Sequence, residues 1–365
     1  MIVVITDADF SKPSYIVSQA PSFFPSRANF MTHPEYTTGT STLARRNLYS
    51  AIAPYVSIAR PDHWFKNVFM LAGIVLAWFY HHGQLQSFHP SAVLWAIASV
   101  CLVASSYYVL NEILDAPSDR DHPVKCRRPI PSGLVSVPLA YVEWLSLGIL
   151  GLVLAWQVNP SFFWVAVVLW CMGLIYNVPP LRTKEVPYLD VLSESVNNPL
   201  RLALGWFVVS TSVIPPASLL ASYWMIGAFF MASKRFAEYR TLADKQRASA
   251  YRSSFRYYDE NRLLVSMFFY VSAAALLLGV FIIRYHLELI LSVPLIAGFF
   301  AYYLHIALRE NSCVQNPERL YRETGLMAYL VICVVSFLGL MFVQIPALYE
   351  VFNVEPSSVP PLWKL

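Results

Sequence analysis

The chain has 365 residues, of which 57% are hydrophobic and only 13% charged, and its formal net charge is +4. A water-soluble domain typically carries about 25% charged residues, so this composition argues against a soluble globular protein and favours one embedded in lipid. The five cysteines lack the close spacing of a metal or redox site, and the sequence predicts neither a zinc site nor a disulfide framework.

The first fifty residues differ from the rest of the chain. They are rich in Ser, Thr and Pro, and no basic residue precedes the short apolar stretch Ile2 to Ile5. A secretory signal begins with basic residues and has an apolar run of roughly 7–15 residues, so we expect no signal peptide here. The predicted organisation is a poorly ordered cytoplasmic extension (1–50), a membrane domain (51–345) and a C-terminal tail (346–365).

Nine apolar segments follow the extension. Crossing a bilayer takes about 20 mostly apolar residues, so we predict an all-α membrane protein with nine transmembrane helices. Only Val158-Asn159-Pro160 separates the third segment from the fourth, which indicates a tight helical hairpin. The predicted spans are 65–81, 91–111, 138–157, 161–178, 189–211, 217–237, 263–284, 287–308 and 325–344.

Basic residues divide the predicted loops into two classes. All but three of the 26 Lys and Arg residues fall on the side that holds the N-terminus. The exceptions are Arg284 and Lys364 on the opposite side and Arg201 within the fifth span. Because cytoplasmic loops carry the basic excess, we predict an inner-membrane protein with its N-terminus in the cytoplasm and its C-terminus outside. The long loops are cytoplasmic, so an active site is expected to open on that side.

The second span ends in a cluster of oxygen-bearing side chains. Asn111, Asp115 and Asp119 are spaced four residues apart, which places them on one face of a helix, and Glu112 lies beside them. Acids concentrated at a membrane boundary repel one another unless a cation lies among them. Mg²⁺ suits such a site, because it takes oxygen ligands and shares its shell with substrate phosphates. The alternative is a solvated acidic loop.

A second acidic cluster opens the fifth span. Asp190 and Glu194 are again four residues apart, and Arg201 follows within the span. Ionisable groups inside a membrane span are candidates for function. Two acidic helix ends on one side of the membrane suggest a pair of metal ions that clamp one diphosphate. The alternative for Arg201 is an internal ion pair with Glu194 that only fixes helix packing.

At these positions the sequence resembles the UbiA superfamily of intramembrane transferases, whose fold is a bundle of nine transmembrane helices. The family's first motif, NDxxDxxxD, is matched from Asn111 to Asp119 with Glu112 in its second position, and Asp190-x-x-x-Glu194 matches the second acidic motif. The segment from Arg128 to Gly133 matches the family's Arg-Pro-(Ile/Leu)-x-x-Gly element. Two prolines depart from the pattern. Pro117 is expected to end or kink the helix before Asp119, and Pro199 to interrupt the fifth span.

Three further elements resemble the decaprenyl-phosphate phosphoribosyltransferase branch: Arg60-Pro61-x-x-Trp64-x-Lys66-Asn67, Asp119-Arg120-x-His122-Pro123-x-Lys125 and Lys234-Arg235-x-x-Glu238. The resemblance implies Mg²⁺-dependent transfer of 5-phosphoribose from phosphoribosyl pyrophosphate (PRPP) to a polyprenyl phosphate, a cell-wall precursor. The expected metal ligands are Asn111, Glu112, Asp115, Asp119, Asp190 and Glu194, with Asp115, Asp119 and Asp190 catalytic. The expected phosphate-binding residues are Lys66, Asn67, Lys125, Arg128, Arg201, Lys234 and Arg235.

Two other functions use parts of the same pattern. Prenyl transfer from a prenyl diphosphate to an aromatic or other small acceptor needs the same metal motif. A transporter is disfavoured, because transporters place broken helices near the bilayer midplane, whereas the acids here lie at helix ends on one side. The basic loop residues also have a simpler explanation, since such residues keep a loop in the cytoplasm. Nothing in the sequence points to a nucleic acid partner.

Overall fold

The computed structural model describes residues 48–80, 90–120, 125–211, 213–242, 253–310 and 312–355. The predicted all-helical fold is confirmed over these residues, whereas the predicted extension up to residue 47, His122 and the end of the C-terminal tail lie outside them. The α-helices are α1 (Leu48–Ala59), α2 (Phe69–Tyr80), α3 (Pro90–Asp119), α4 (Val137–Val158), α5 (Pro160–Asn177), α6 (Leu189–Ser195), α7 (Asn197–Val209), α8 (Ala217–Thr241), α9 (Glu260–Tyr285), α10 (Val293–Ala307), α11 (Thr324–Met341) and α12 (Pro346–Val351).

Six helical segments within the described residues are long and apolar enough to cross a membrane. Each coincides with one of the nine predicted spans: the second, third, fourth, seventh, eighth and ninth. The six segments are Ser91–Asp119, Val137–Val158, Pro160–Asn177, Glu260–Tyr285, Leu287–Ala307 and Thr324–Met341. The number nine and the orientation of the termini therefore stay predictions.

The other three predicted spans are not among these six segments. The first is divided between a 3₁₀ helix, Pro61–Val68, and α2, whose 12 residues rise only about 18 Å. The fifth is broken at Val196 into α6 and α7. The sixth is the continuous helix α8, which carries Lys234, Arg235 and Glu238 in its second half. These three segments supply much of the polar chemistry described below.

Large apolar side chains cover the outside of the helices. Leu150 on α4, Phe268 and Leu276 on α9 and Val335 on α11 are all at least half exposed. A water-soluble protein rarely leaves such continuous apolar surface uncovered, whereas lipid tails are a suitable neighbour for it. Inside, α3 packs along α4 and α8 along α9, with buried aromatic side chains such as Trp206 and Phe236 between the helices.

Helices α2 and α7 touch backbone to backbone at two glycines. A Cβ atom added to Gly73 would lie 1.9 Å from the Leu202 carbonyl oxygen, and one added to Gly205 would lie 1.8 Å from the Met70 carbonyl oxygen. Small residues permit such close helix contacts in membranes. The contact places the first half of α2 directly against the segment of α7 from Leu202 to Trp206.

The predicted hairpin between the third and fourth spans is confirmed. Helix α4 ends at Val158 and α5 begins at Pro160, where proline lacks only an amide that has no helical partner. The Asn159 side chain between them accepts from the Phe162 amide at 2.8 Å and donates to the Phe207 carbonyl at 2.7 Å. This residue therefore caps α5 and ties the hairpin to α7.

Proline affects the two acidic helices differently. Pro199 lies in the first turn of α7, just after the break at Val196, so the predicted interruption of this span is confirmed. Of the two outcomes expected for Pro117, an end of the helix is excluded, because α3 continues through Pro117 to Asp119, and a kink stays a prediction. Proline removes one amide donor and crowds the preceding turn. Pro117 lies only two residues before the end of α3, so few helical residues follow it.

Candidate active site

Asn111 and Asp115 on α3 meet the end of α5 and the loop after it. The Asn111 amide donates to Asn177 Oδ1 at 2.7 Å. The Lys184 ammonium lies 2.5 Å from Asp115 Oδ1 and 2.9 Å from Asn177 Oδ1, and Arg182 Nη2 lies 3.1 Å from the same Asp115 oxygen. The loop brings these cations back because α5 ends at Asn177, just before two consecutive prolines.

The Lys184 ammonium therefore lies between side-chain oxygen atoms of the type that coordinate metal ions. Lys184 is only 7% exposed, and its ammonium contacts a carboxylate and an amide oxygen of the kind that Mg²⁺ prefers. The donor chemistry around Asp115 therefore fits a hard divalent ion. The described part of the chain contains no group of three or more His, Cys, Asp or Glu side chains close enough to hold a metal. A metal ion bound to Asp115 would therefore also need oxygen ligands from Asn111, water or substrate.

Asp119 turns toward the segment between α3 and α4. Its carboxylate is bonded to Arg128 at 2.7 Å and lies 3.9 Å from the Lys125 ammonium. A turn that ends at Gly133 carries Arg128, and Gly133 has φ of +77°, which glycine adopts without strain. Asp115 and Asp119 thus contact different basic side chains, although they lie on one helix.

Glu112 holds this segment in place. Its buried carboxylate accepts a hydrogen bond from the Ile130 amide at 3.1 Å, and Arg60 lies 4.0 Å away. Those contacts tie the Arg128–Gly133 turn to α3. The structure therefore gives Glu112 a positioning contact, and its role as a metal ligand stays a prediction.

Asp190 lies in a separate buried cluster. It is fully buried and accepts hydrogen bonds from Arg235 at 3.1 Å, Tyr258 at 2.7 Å and Ser254 at 3.4 Å. Burial and the neighbouring Asp190 carboxylate raise the pKa of Tyr258, which keeps this hydroxyl a donor. Asp190 thus contacts α8 and the segment before α9, and its predicted metal and catalytic roles are not tested.

The predicted cations Lys234 and Arg235 share a neighbour with this cluster. Arg235 Nη1 lies 2.8 Å from Glu238, and Lys234 lies 3.9 Å from the other oxygen of the same carboxylate. Arg235 is nearly fully buried, whereas Lys234 is partly exposed. Within this cluster, Lys234 is the cation better placed to meet a solvent-borne phosphate.

Glu194 connects the second acidic motif to α3. Its carboxylate accepts a hydrogen bond from the Tyr107 hydroxyl at 2.8 Å. Arg201 points elsewhere and donates to Asn67 Oδ1 at 3.0 Å. The alternative of a Glu194–Arg201 ion pair is therefore not observed, and the helix break at Val196 separates the two residues. The structure brings Glu194 near the Asn111 face and Arg201 beside Asn67.

The sequence prediction missed Tyr107, Asn177, Arg182, Lys184 and Tyr258. The sequence does hold a signal for Asn177, because it is a polar amide at the end of an otherwise apolar span. Arg182 and Lys184 lie in a short loop between two acidic spans, where their charge is equally explained by topology. Only the folded chain shows that both reach Asp115.

The chain is similar to known proteins of one family. The model of the UbiA prenyltransferase family matches residues 67–321. A decaprenyl-phosphate phosphoribosyltransferase of Mycobacterium tuberculosis is 33% identical over 192 residues, which cover 51% of this chain and 60% of the relative. An enzyme of the same name from Corynebacterium glutamicum is 30% identical over 219 residues, 58% of this chain and 62% of that one. The match thus spans about 60% of the length of these relatives.

The fold also resembles a solved structure. A UbiA homolog from Archaeoglobus fulgidus, bound to GPP and Mg²⁺, superimposes with a TM-score of 0.60 at 20% sequence identity. The superposition covers 80% of this chain and 100% of that one. At this identity the likeness establishes the fold of the bundle.

Proposed function

The chain belongs to the UbiA prenyltransferase family, and we propose that it transfers 5-phosphoribose from PRPP to a polyprenyl phosphate, with release of pyrophosphate. Family membership and six apolar helices make the chain an integral membrane protein. We further propose that it lies in the inner membrane with its acidic motifs facing the cytoplasm, as the distribution of basic residues favours.

One observation carries the proposal: four basic side chains surround the carboxylates of the first motif. Lys184 and Arg182 contact Asp115, and Arg128 and Lys125 approach Asp119. Arg binds phosphate through paired hydrogen bonds, and Lys acts as a point charge. A reaction in which donor and acceptor both carry phosphate has a use for such a concentration of cations.

The chemistry needs little from a general base. The bond between ribose C1 and the pyrophosphate oxygen breaks, and pyrophosphate leaves with the electron pair. A phosphate oxygen of the lipid then forms the new bond to C1. That oxygen is already ionised, so the protein's task is to hold both phosphates close to C1 and to stabilise the charge on the leaving group.

Mg²⁺ is the proposed cofactor. Asn111, Asp115 and Asp119, with Glu194 from the facing helix, would be its oxygen ligands. When bound, it would disperse the negative charge that develops on the departing pyrophosphate. Lys184 and Arg182 would pair with oxygens of the donor's diphosphate.

Washed membranes containing the protein test this proposal. They are incubated with labelled PRPP and a polyprenyl phosphate, and separately with a labelled prenyl diphosphate and aromatic acceptors, each with and without Mg²⁺. We expect Mg²⁺-dependent transfer of label from PRPP into lipid. Transfer from the prenyl diphosphate alone would reject the proposal.

Prenyl transfer is the second candidate. The specific observation in its favour is the fold, which resembles a UbiA homolog bound to GPP and Mg²⁺. An allylic diphosphate poses the same charge problem at the leaving group, so the first motif does not discriminate between the two reactions. The two labelled donors in the assay above separate them.

A further inference from the structure

Arg201 is a buried cation that contacts no carboxylate among the described residues. It lies in α7, within the predicted fifth span, and is only 9% exposed. Its contacts there are to neutral groups: Asn67 Oδ1 at 3.0 Å and the Asn197 carbonyl oxygen at 3.4 Å. A guanidinium stays protonated inside proteins, so a full positive charge lies among these neutral groups.

The other buried cations are paired. Among the described Lys and Arg residues, three are buried, and Lys184 contacts Asp115 while Arg235 contacts both Asp190 and Glu238. Taking an unpaired charge out of water is costly, and buried charges are therefore normally paired or bound to a ligand. An ionisable group within a membrane span most often marks a substrate or ion site.

The fold holds the Arg201 guanidinium firmly in one position. Asn67 accepts from it and donates its own amide to Cys101 Sγ on α3 at 3.3 Å. The backbone contact of α2 with α7 at Gly73 and Gly205 keeps Asn67 beside Arg201. Guanidinium has five N–H donors, and within the described residues only two of them have partners. The remaining donors suit an oxyanion.

This site is separate from the first motif. Arg201 contacts Asn67 and Asn197. Asp115 contacts Lys184 and Arg182, so the two sites share no contacting side chain among the described residues. An anion at Arg201 is therefore distinct from a diphosphate at Asp115. A prenyl chain carries no second anion, whereas a phosphoribosyl donor and a polyprenyl phosphate each carry a phosphate that is not part of the leaving group.

We propose that Arg201 and Asn67 form a second anion site, one that takes a phosphate monoester. Two substrates supply that chemistry: the 5-phosphate of the donor and the phosphate of the acceptor lipid. The choice between them rests on the proposed function, but the existence of the site does not.

Thermal unfolding of the purified full-length protein in detergent tests the site directly. Ribose 5-phosphate stands for the donor end and dodecyl phosphate for the lipid, both in Mg²⁺-free buffer so that the acidic motifs contribute little. We expect one of the two probes to raise the Tm of the wild type and to leave that of Arg201→Gln unchanged. Equal shifts in both proteins, or no shift in the wild type with either probe, would overturn the proposal.

The ligand-free Tm separates a binding role from a structural one. Arg201→Gln keeps a donor for Asn67 and removes an unpaired charge, so its Tm should equal or exceed that of the wild type. Arg235→Gln is the matched control, because it removes the cation that pairs with the buried Asp190 carboxylate and should therefore lower the Tm. If Arg201→Gln unfolds as early as Arg235→Gln, Arg201 is structural and the proposal fails. Arg201→Lys keeps the charge and should retain part of the shift.

Kinetics then identify the occupant. In the transfer assay, Arg201→Lys should raise the KM of one substrate about 10-fold, PRPP or polyprenyl phosphate, and leave the other KM near that of the wild type. Unchanged KM values for both substrates would contradict the proposal of an anion site at Arg201. If wild-type membranes transfer nothing from PRPP but the protein still binds a monoester through Arg201, the proposed function fails and the anion site stands.

Discussion

At the residue scale, Asp115 is a carboxylate on which two cations converge through the same oxygen atom. Lys184 and Arg182 both contact one of its oxygens, at 2.5 and 3.1 Å, and the residue is only partly exposed. Arg182 also pairs with Glu185, so two carboxylates balance the two cations. An incoming diphosphate would therefore compete with Asp115 and Glu185 for these basic side chains.

We expect Asp115→Asn to abolish transfer while the protein remains inserted in the membrane. The substitution removes the negative charge that the proposed Mg²⁺ needs. Lys184 and Arg182 would then bind phosphate in the absence of the metal ion. Turnover of labelled PRPP in washed membranes measures the effect, and protein level in the same membranes measures insertion. Glu260→Gln, at the exposed start of α9, is the matched control and should keep full activity. If Asp115→Asn were nearly as active as the wild type, Asp115 would not be a ligand of a catalytic metal ion.

Chelation of divalent ions gives a second check at the same site. We expect EDTA to stop transfer and added Mg²⁺ to restore it, because the oxygen ligands near Asp115 suit a hard cation. Transfer assays before and after dialysis against EDTA measure this. Full activity after complete removal of divalent ions would contradict a metal-dependent reaction.

The buried pair of Asp190 and Arg235 makes a prediction about stability. Arg235→Gln leaves a fully buried carboxylate without its cation, and breaking such a pair typically costs about 3–5 kcal/mol. Arg309, by contrast, meets Glu323 at the surface at 3.6 Å, where a pair contributes about 0–1 kcal/mol. Denaturation in detergent should thus show a large loss for Arg235→Gln and almost none for Arg309→Gln. Equal losses would mean that Asp190 finds another partner.

At the element scale, the contact of α2 with α7 determines where Asn67 and Arg201 meet. Both helices are short, and neither is a regular membrane span in the described residues. Their position depends on Gly73 and Gly205, where the backbone of one helix lies directly against the other. Larger residues there would separate α2 from α7 and move Asn67 away from the guanidinium.

We therefore expect Gly205→Ala to destabilise the protein strongly, since its Cβ would lie 1.8 Å from the Met70 carbonyl oxygen. Gly279→Ala in α9 is the matched control, because a Cβ there meets nothing within 4 Å and alanine favours a helix over glycine by roughly 0.5–1 kcal/mol. Thermal unfolding of the two variants should move in opposite directions. A wild-type Tm for Gly205→Ala would show that the close contact does not form.

At the scale of the whole molecule, the number of spans decides which side of the membrane holds the C-terminal helix α12. Nine spans place it opposite the N-terminus, whereas the six regular spans alone would place both on one side. The charge pattern favours nine. In that prediction, α2, α6 with α7, and α8 would supply the three additional spans.

Cysteine labelling tests this count. In a cysteine-free background, an impermeant maleimide applied to intact cells should label Asn353→Cys, after α12, and fail to label Ser132→Cys, before α4. Inverted membrane vesicles should give the reverse. Labelling of both positions from the same side would exclude nine spans with a cytoplasmic N-terminus.

Several features followed from the sequence because they depend on local chemistry. Apolar length predicted nine spans, six of which coincide with long apolar helices among the described residues, and Asn159 with Pro160 indicated the hairpin. The spacing of Asn111, Asp115 and Asp119 identified a candidate site on one helix. Pro199 indicated an interrupted span, because a fixed φ and a missing amide act on the nearest turn. For Pro117 the same local reasoning allowed an end or a kink of the helix, and the structure excludes the end.

Only the tertiary structure decided which partner each charged group meets. Lys184 and Arg182 lie 69 and 67 residues from Asp115, yet both contact it. Glu194 turns to Tyr107, and Asp190 is enclosed by Arg235 and Tyr258. Arg201 is left with neutral neighbours in the described residues. Spacing along one helix predicts which side chains share a face, but charge pairing across helices depends on packing, which in this chain rests on contacts as specific as the two glycines between α2 and α7.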